Sequence, residues 1–245
     1  MKLVFIRHAD PDYEKDSLTE TGFKEAALLA ERVEKMGASI KDIYVSPLGR
    51  AKDTAEPSLK ALGREAKELF WLREFDVKIV RPDRTPEKPG MAWDWLPADW
   101  NAYPEFYDKE KWMYHPLFVK EGLPERYKEV TGAFEAFLNE KGYERDRLTY
   151  RAVSPNNDTY VFFCHFGCET LFLSYLLNIS PMILWHGLCS APTGITTIVT
   201  EERREGTASF RCIAYGDTSH LYEGGREPSF AARFCECFSN ENERH

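Results

Sequence analysis

At 245 residues, 43% of them hydrophobic, the chain is long enough for one large domain with a buried core and a substantial insertion. Its formal net charge of −8 argues against a nucleic-acid or anionic-membrane surface, since both partners select basic faces. No apolar run reaches the roughly 18 residues that cross a bilayer, and the amino terminus opens on a strand-like segment without a signal-peptide cleavage region, so a cytoplasmic address is expected.

The opening run Leu3-Val4-Phe5-Ile6 predicts a buried strand that carries Arg7 and His8 to its carboxyl edge, where α/β sheets collect ligands. An imidazole beside a guanidinium there points to phosphate chemistry, and in an acidic chain a few arginines must then create a local positive site. Residues 10–17 read as a polar loop. Thr19 is placed to cap a helix with Phe23, Ala26, Ala27, Ala30 and Val33 on its buried face and Gly37 at its end. Ile43-Tyr44-Val45 is a second strand. Ser46-Pro47 sets a capping hydroxyl ahead of proline at the first helical position, so a helix reaching about residue 62 points its amino end toward the edge that holds His8. Residues 68–72 read as a third strand.

From 77 to 120 the pattern changes. Prolines recur at 82, 86, 89, 97, 104 and 116, and five of the six tryptophans lie between Trp71 and Trp112, so this is an irregular or short-helical insertion, too aromatic for a disordered linker. Trp93, Trp95, Trp100 and Tyr103 are expected to form the insertion's own small core, with some of its aromatics roofing a pocket. A helix over 124–139 buries Leu123, Tyr127, Val130, Phe134 and Phe137. Residues 148–153 and 159–164 flank Pro155-Asn156-Asn157-Asp158 and read as strands joined through a turn; His165 ends the second as His8 ends the first. An apolar helix over 167–177 follows, then a strand pair, 195–200 with 210–215, around Arg203-Arg204-Glu205-Gly206. The last twenty residues carry little pattern.

The six cysteines, at 164, 168, 189, 212, 235 and 237, lack the spacing of a disulfide scaffold and read as reduced thiols. Cys164-His165-Phe166-Gly167-Cys168 could begin a zinc site, yet no second Cys-x-x-Cys or His-x-x-x-His completes it and Cys235-x-Cys237 has no matching pair, so neither metal nor other cofactor is expected. His115, His186 and His245 join no motif, and with His220 they are read as structural or exposed.

Arg7-His8, Leu18-Thr19-Glu20-Thr21-Gly22, Ser46-Pro47-Leu48-Gly49-Arg50-Ala51-Lys52-Asp53-Thr54-Ala55, His165-Phe166-Gly167 and Asp217-Thr218-Ser219-His220-Leu221 stand in order along the chain. In that ordered set the sequence resembles the histidine phosphatase superfamily over residues 1 to about 75 and 123 to about 222. The family opens with Arg-His-Gly, so Ala9 stands where a glycine is expected, and a position needing positive φ or very close phosphate approach would be disturbed by the added methyl. The resemblance implies a phosphoglycerate mutase-like fold: α/β, three-layer α/β/α with a mostly parallel central sheet, one domain over 1–245 carrying the insertion or lid at 77–120.

It also implies chemistry that these residue types can perform. Arg7 and Arg50 offer planar donor forks to phosphoryl oxygens, His8 attacks phosphorus to give a phosphohistidine, and His165 donates to the transferring group. The proton donor is expected to be a carboxylate after the third core strand, best matched by Glu74, with Asp76 and then Glu169 as alternatives; the competing reading pairs Glu74 with Arg73 or Lys78 at the surface. The expected partner is a small phosphate monoester, neither nucleic acid nor membrane, with the oligomeric state open. A mutase is disfavoured because Leu72-Arg73-Glu74-Phe75-Asp76 lacks the Asn-Glu-Arg and Tyr-Gly of that branch, and a non-catalytic phospholigand sensor would be marked by loss of His8. No phosphate-binding Gly-x-x-x-x-Gly-Lys-Ser/Thr loop, His-Glu-x-x-His or Gly-x-Ser-x-Gly occurs.

Overall fold

Along β1 (Lys2–Arg7) the side chains alternate between two apolar cores, Leu3 and Phe5 in one and Val4 and Ile6 in the other. This is the period-2 signature of a strand covered on both faces. In the computed structural model, which describes residues 1–229, β1 leads into a short ribbon of β2 (Pro11–Asp12) and β3 (Ser17–Leu18), then α1 (Glu20–Met36), β4 (Ile40–Val45), α2 (Gly49–Leu62) and β5 (Lys67–Glu68). Residues 77–120 hold a second short ribbon, β6 (Lys78–Ile79) with β7 (Gly90–Met91), and the brief helices α3 (Pro97–Trp100) and α4 (Pro116–Lys120). There follow α5 (Leu123–Glu140), β8 (Tyr143–Asp146), β9 (Thr149–Ala152), β10 (Thr159–Cys164), α6 (Phe166–Leu177), α7 (Pro181–Gly187), β11 (Ile195–Arg204), β12 (Thr207–Asp217) and α8 (Ser219–Glu223).

The main sheet has the order β5-β4-β10-β1-β11-β12-β9-β8. β5, β4, β10 and β1 run parallel and form the centre of the α/β/α sandwich, while β11, β12, β9 and β8 extend it antiparallel. One face packs Leu29 and Val33 of α1 and Ala51 and Ala55 of α2 on Val4, Val161 and Phe163. The other packs Phe134 of α5 and Phe172 of α6 on Phe5 and Phe162. Because β1 and β10 are adjacent and parallel, with Arg7 in register with Cys164, both strands deliver their next residues, His8 and His165, to one edge.

Several local expectations are corrected. Phe23 and Ala27 face outward, because α1 turns Gly22, Glu25, Ala26, Leu29, Ala30 and Val33 inward. Gly22 fixes that rotation: a Cβ there would fall on the Asp10 carbonyl oxygen. α2 begins at Gly49 with Leu48 as its cap, not at Pro47. Only Lys67 and Glu68 pair with β4, after which a 3-10 turn over Phe70–Leu72 drives Leu72 inward, so the third strand is shorter than predicted. β9 forms a hairpin with β8 at the far sheet edge and does not pair with β10. Trp95, Trp100, Phe106, Trp112 and Phe118 belong to the same core as Phe5 and Phe162, so residues 77–120 have no core of their own. Among the described residues no helix is long and apolar enough to cross a membrane. Cys235, Cys237 and His245 lie outside the described residues.

Candidate active site

Arg7 and His8 are both about 2% exposed where β1 ends. Arg7 Nη1 donates to the Ser190 carbonyl, and its guanidinium lies 5.6 Å from the Phe166 ring centroid. His8 Nδ1 is 2.8 Å from the Ala9 carbonyl. A carbonyl can only accept, so Nδ1 carries the proton and the Nε2 lone pair is left as the base. Ala9 avoids the left-handed region, where the non-glycine residues are Asp16, Arg147, Asn178 and Thr193. Its methyl packs with Leu18 and Ala26, which is how alanine fits the expected glycine position.

The β4–α2 junction supplies the next groups. Ser46 Oγ lies 2.8 Å from His165 Nε2 and accepts from Leu48 N–H at 3.3 Å. Its hydroxyl therefore serves the site, and this is why the helix starts later than the Ser-Pro signal predicted. Arg50, in the first turn of α2, pairs with Asp16 at 2.6 Å, and Asp16 also accepts from Gly49 N–H at 2.7 Å. A Cβ on Gly49 would collide with the Asp16 carbonyl, so this glycine lets the 10–17 loop lie on the helix start. The Arg50 guanidinium sits 5.4 Å from the centre of the Tyr13 ring.

His165 is fully buried between β10 and α6, with its ring 5.1 Å from that of His8. Burial first, then the positive charges of Arg7 and Arg50, drives the His8 pKa well below its ordinary value. His165 is lowered likewise, by burial, then His8, Arg50, Arg7 and Arg73. Both imidazoles are thus held toward the neutral form.

Glu74 closes the other side. Its carboxylate accepts from Phe75 N–H at 2.8 Å, Gly167 N–H at 3.2 Å and Cys168 N–H at 3.0 Å, binding it to the amino end of α6. Burial raises its pKa against those backbone hydrogen bonds and the charges of Arg50 and Arg7. A Cβ on Gly167 would come within 2.6 Å of Glu74 Oε1 and 2.7 Å of Trp93 Nε1, so the glycine admits both. Trp93 donates to the Phe75 carbonyl at 2.8 Å and stands edge-on to Phe166, placing one aromatic of the 77–120 segment against the site.

The surface reading of Glu74 is overturned: Arg73 lies 4.0 Å from Asp76 instead, and Asp76 is half-exposed. Glu169 is buried and accepts from the Thr196 hydroxyl; burial pushes its pKa up to about 8. Cys164 faces the core and Cys168 donates to the Leu72 and His165 carbonyls at 3.4 Å. Among the described residues no group of three His, Cys, Asp or Glu side chains could hold a metal ion. His115 is buried with Nδ1 accepting from Leu117 N–H at 3.3 Å, and His186 Nε2 accepts from Trp95 N–H at 3.0 Å. Sequence reading missed Asp16, Ser46, Thr54 and Thr193 as supports of the site. Ser46 and Thr54 carry a signal, their places in the stretch from Ser46 to Ala55 that bears the resemblance, although Ser46 reads as a helix cap; Asp16 and Thr193 are single polar residues without distinctive spacing.

The model of the histidine phosphatase superfamily, branch 1, matches residues 3–212. The chain belongs to the histidine phosphatase superfamily. Comparison with curated protein sequences finds no match. Among solved structures, phosphoserine phosphatase from Entamoeba histolytica in complex with phosphoserine superposes with a TM-score of 0.59 at 20% identity, over 90% of this chain and 98% of that one. The same enzyme with 3-phosphoglyceric acid gives 0.59 at 19%, over 90% and 98%. A mycobacterial glucosyl-3-phosphoglycerate phosphatase with VO3 gives 0.52 at 20%, over 87% and 97%. For this superfamily member, membership and fold together support a phosphatase-type activity.

Proposed function

We propose that this histidine phosphatase superfamily member hydrolyses small phosphate monoesters through a phosphohistidine on His8, without a metal ion. The observation that carries the reading is the His8 Nδ1 contact with the Ala9 carbonyl, which leaves Nε2 unprotonated beside two guanidinium groups. A phosphate monoester resists attack because its oxygens are negative; Arg7 and Arg50 neutralise them, which is the work a divalent cation does elsewhere. His8 Nε2 forms the N–P bond as the P–O bond to the leaving group breaks, and Glu74, whose pKa burial raises, gives a proton to the departing oxygen. We assign the Ser46 hydroxyl as the donor to His165 Nε2, which puts the His165 proton on Nδ1, an atom with no partner among the described residues, where it can meet a phosphoryl oxygen. Glu74, now ionised, takes a proton from water, whose oxygen displaces His8 and releases inorganic phosphate. The segment 77–120 is an insertion within one domain and lines the leaving-group side through Trp93. Phosphoserine and 3-phosphoglyceric acid in the complexes of a structural neighbour agree with a small phosphate ester as substrate.

Rapid quenching of chelator-treated protein with a 32P-labelled monoester tests the reading. Acid-labile, base-stable label is expected on His8, with turnover unchanged by EDTA and absent in His8→Ala. Label on another residue, or activity that vanishes with EDTA and returns with zinc or magnesium, overturns it.

A further inference from the structure

The turn over residues 190–194 grips both functional residues at the end of β1. Arg7 N–H donates to the Gly194 carbonyl at 3.1 Å and Arg7 Nη1 to the Ser190 carbonyl, while Thr193 N–H donates to the His8 carbonyl at 3.3 Å. The other side of that peptide is held too, since Ala9 N–H donates to Thr54 Oγ1 at 2.9 Å. With the carbonyl and the amide of the His8–Ala9 peptide both pinned, the Ala9 carbonyl that orients His8 Nδ1 is directed by its neighbours. The aim of His8 therefore depends on Thr193.

Thr193 has a φ of 61°, in the left-handed region that a β-branched residue adopts only when its surroundings impose it. Its hydroxyl shows what imposes it. Oγ1 lies 2.6 Å from the Pro192 carbonyl, to which it can only donate, and 2.9 Å from His220 Nε2. A hydroxyl has one hydrogen; with that given to Pro192, Oγ1 accepts from His220, so Nε2 is the protonated nitrogen. His220 is 3% exposed at the start of α8, and its Nδ1 has no partner among the described residues. Asp217 at the end of β12, Glu223 on α8 and Arg32 on α1 act on it electrostatically, yet burial dominates and pushes its pKa down to about 4, keeping it a neutral donor.

We propose that His220 is a positioning residue for His8, locking through its Nε2–H the left-handed Thr193 whose backbone N–H holds the His8 carbonyl. The inference rests on the proposed function in treating His8 as the nucleophile. The resemblance reaches His220 but assigns it no role, and the family-model match ends before it, at residue 212.

Three substitutions test it in the full chain: His220→Leu removes the donor, His220→Gln keeps an N–H, and Thr193→Val keeps the branched shape but loses the hydroxyl. Aryl phosphate kcat, inhibition by inorganic phosphate, melting temperature and the His8 ring tautomer by long-range 1H–15N NMR are measured on each. His220→Leu is expected to lower kcat about 30-fold, with phosphate inhibition within threefold of wild type and His8 converted from Nδ1–H to a tautomer mixture. Gln restores kcat to within about threefold, and Thr193→Val alone reproduces the Leu variant. An unchanged His8 tautomer with kcat within twofold in His220→Leu overturns the proposal, as does a loss in Leu and Gln alike that follows only the melting temperature. Should His220→Leu fail to fold, Thr193→Val decides by the same two readouts. The tautomer measurement needs no turnover, so a His8 ring that shifts in a protein lacking phosphatase activity sustains the positioning role while the phosphohistidine reading falls.

Discussion

The carboxyl ends of β1, β10 and β4 and the segment 77–120 border the same site, yet they are held by different physics. Around the strand ends Arg7 is tied to the Ser190 carbonyl, His8 to the Ala9 carbonyl and Glu74 to three backbone amides, while His165 meets the Ser46 hydroxyl and Arg50 the Asp16 carboxylate. The segment opposite is held by ring packing, with Trp112 standing edge-on to Phe118, Tyr127 and Trp185, and by Arg81, which is buried and pairs with Asp83 at 2.8 Å and Asp94 at 3.2 Å. The first region specifies where charges sit and the second where water does not. Substitutions in the first should therefore strike catalysis at nearly constant stability, and those in the second the reverse.

The largest expected effect is at Arg50, where Arg50→Ala should reduce kcat/KM about 1,000-fold for alkyl and aryl phosphates alike, about 4 kcal/mol of transition-state stabilisation. Steady-state kinetics on both substrates check it, and a melting temperature close to wild type separates it from unfolding. Trp112→Ala should instead cost about 3 to 5 kcal/mol of stability through the cavity it leaves, read from denaturant unfolding, with kcat near wild type in the folded fraction. A loss of turnover larger than the loss of folded protein would show that the two regions are not separable.

Smaller still, and dependent on the leaving group, is Glu74→Gln: about 100-fold slower on an alkyl phosphate and less than threefold on nitrophenyl phosphate, which departs without a proton. The pH profile carries the sign. Burial raises the Glu74 pKa, so the protonated acid persists above the ordinary carboxylate range and alkyl phosphate turnover falls as pH rises through the raised value. The glutamine variant should lose that limb, and a retained limb would move the acid to another group.

The same contrast decides what can be read from the chain. α1 is legible because burial of one face writes a period into the sequence, and β1, β10 and α6 because burial all round writes an unbroken apolar run. His8, Arg50 and His165 were legible because they sit at the ends of such periodic runs, where register places them. β8, with Tyr143-Glu144-Arg145-Asp146 at a sheet edge, has too little burial to leave a pattern. Ser46-Pro47 misled because the serine side chain has two possible partners, a helix amide and His165, and only the assembled sheet decides between them. In the 77–120 segment composition showed that rings would be buried but not against what; contacts such as Trp112 with Trp185 join residues far apart in the chain.

The paired neutral imidazoles have a thermodynamic consequence. With His8 and His165 5.1 Å apart and two guanidinium groups nearby, the site is short of negative charge, and burial first with that positive charge second keeps both rings short of protons. A phosphoryl dianion supplies the missing charge and thereby raises the proton affinity of the ring that is not attacking. Ligand binding and proton uptake become a single linked equilibrium. Because the lowered pKa values of both imidazoles make acid destabilise the free fold, bound phosphate should offset part of that loss, and the melting temperature should fall less steeply with acid in its presence.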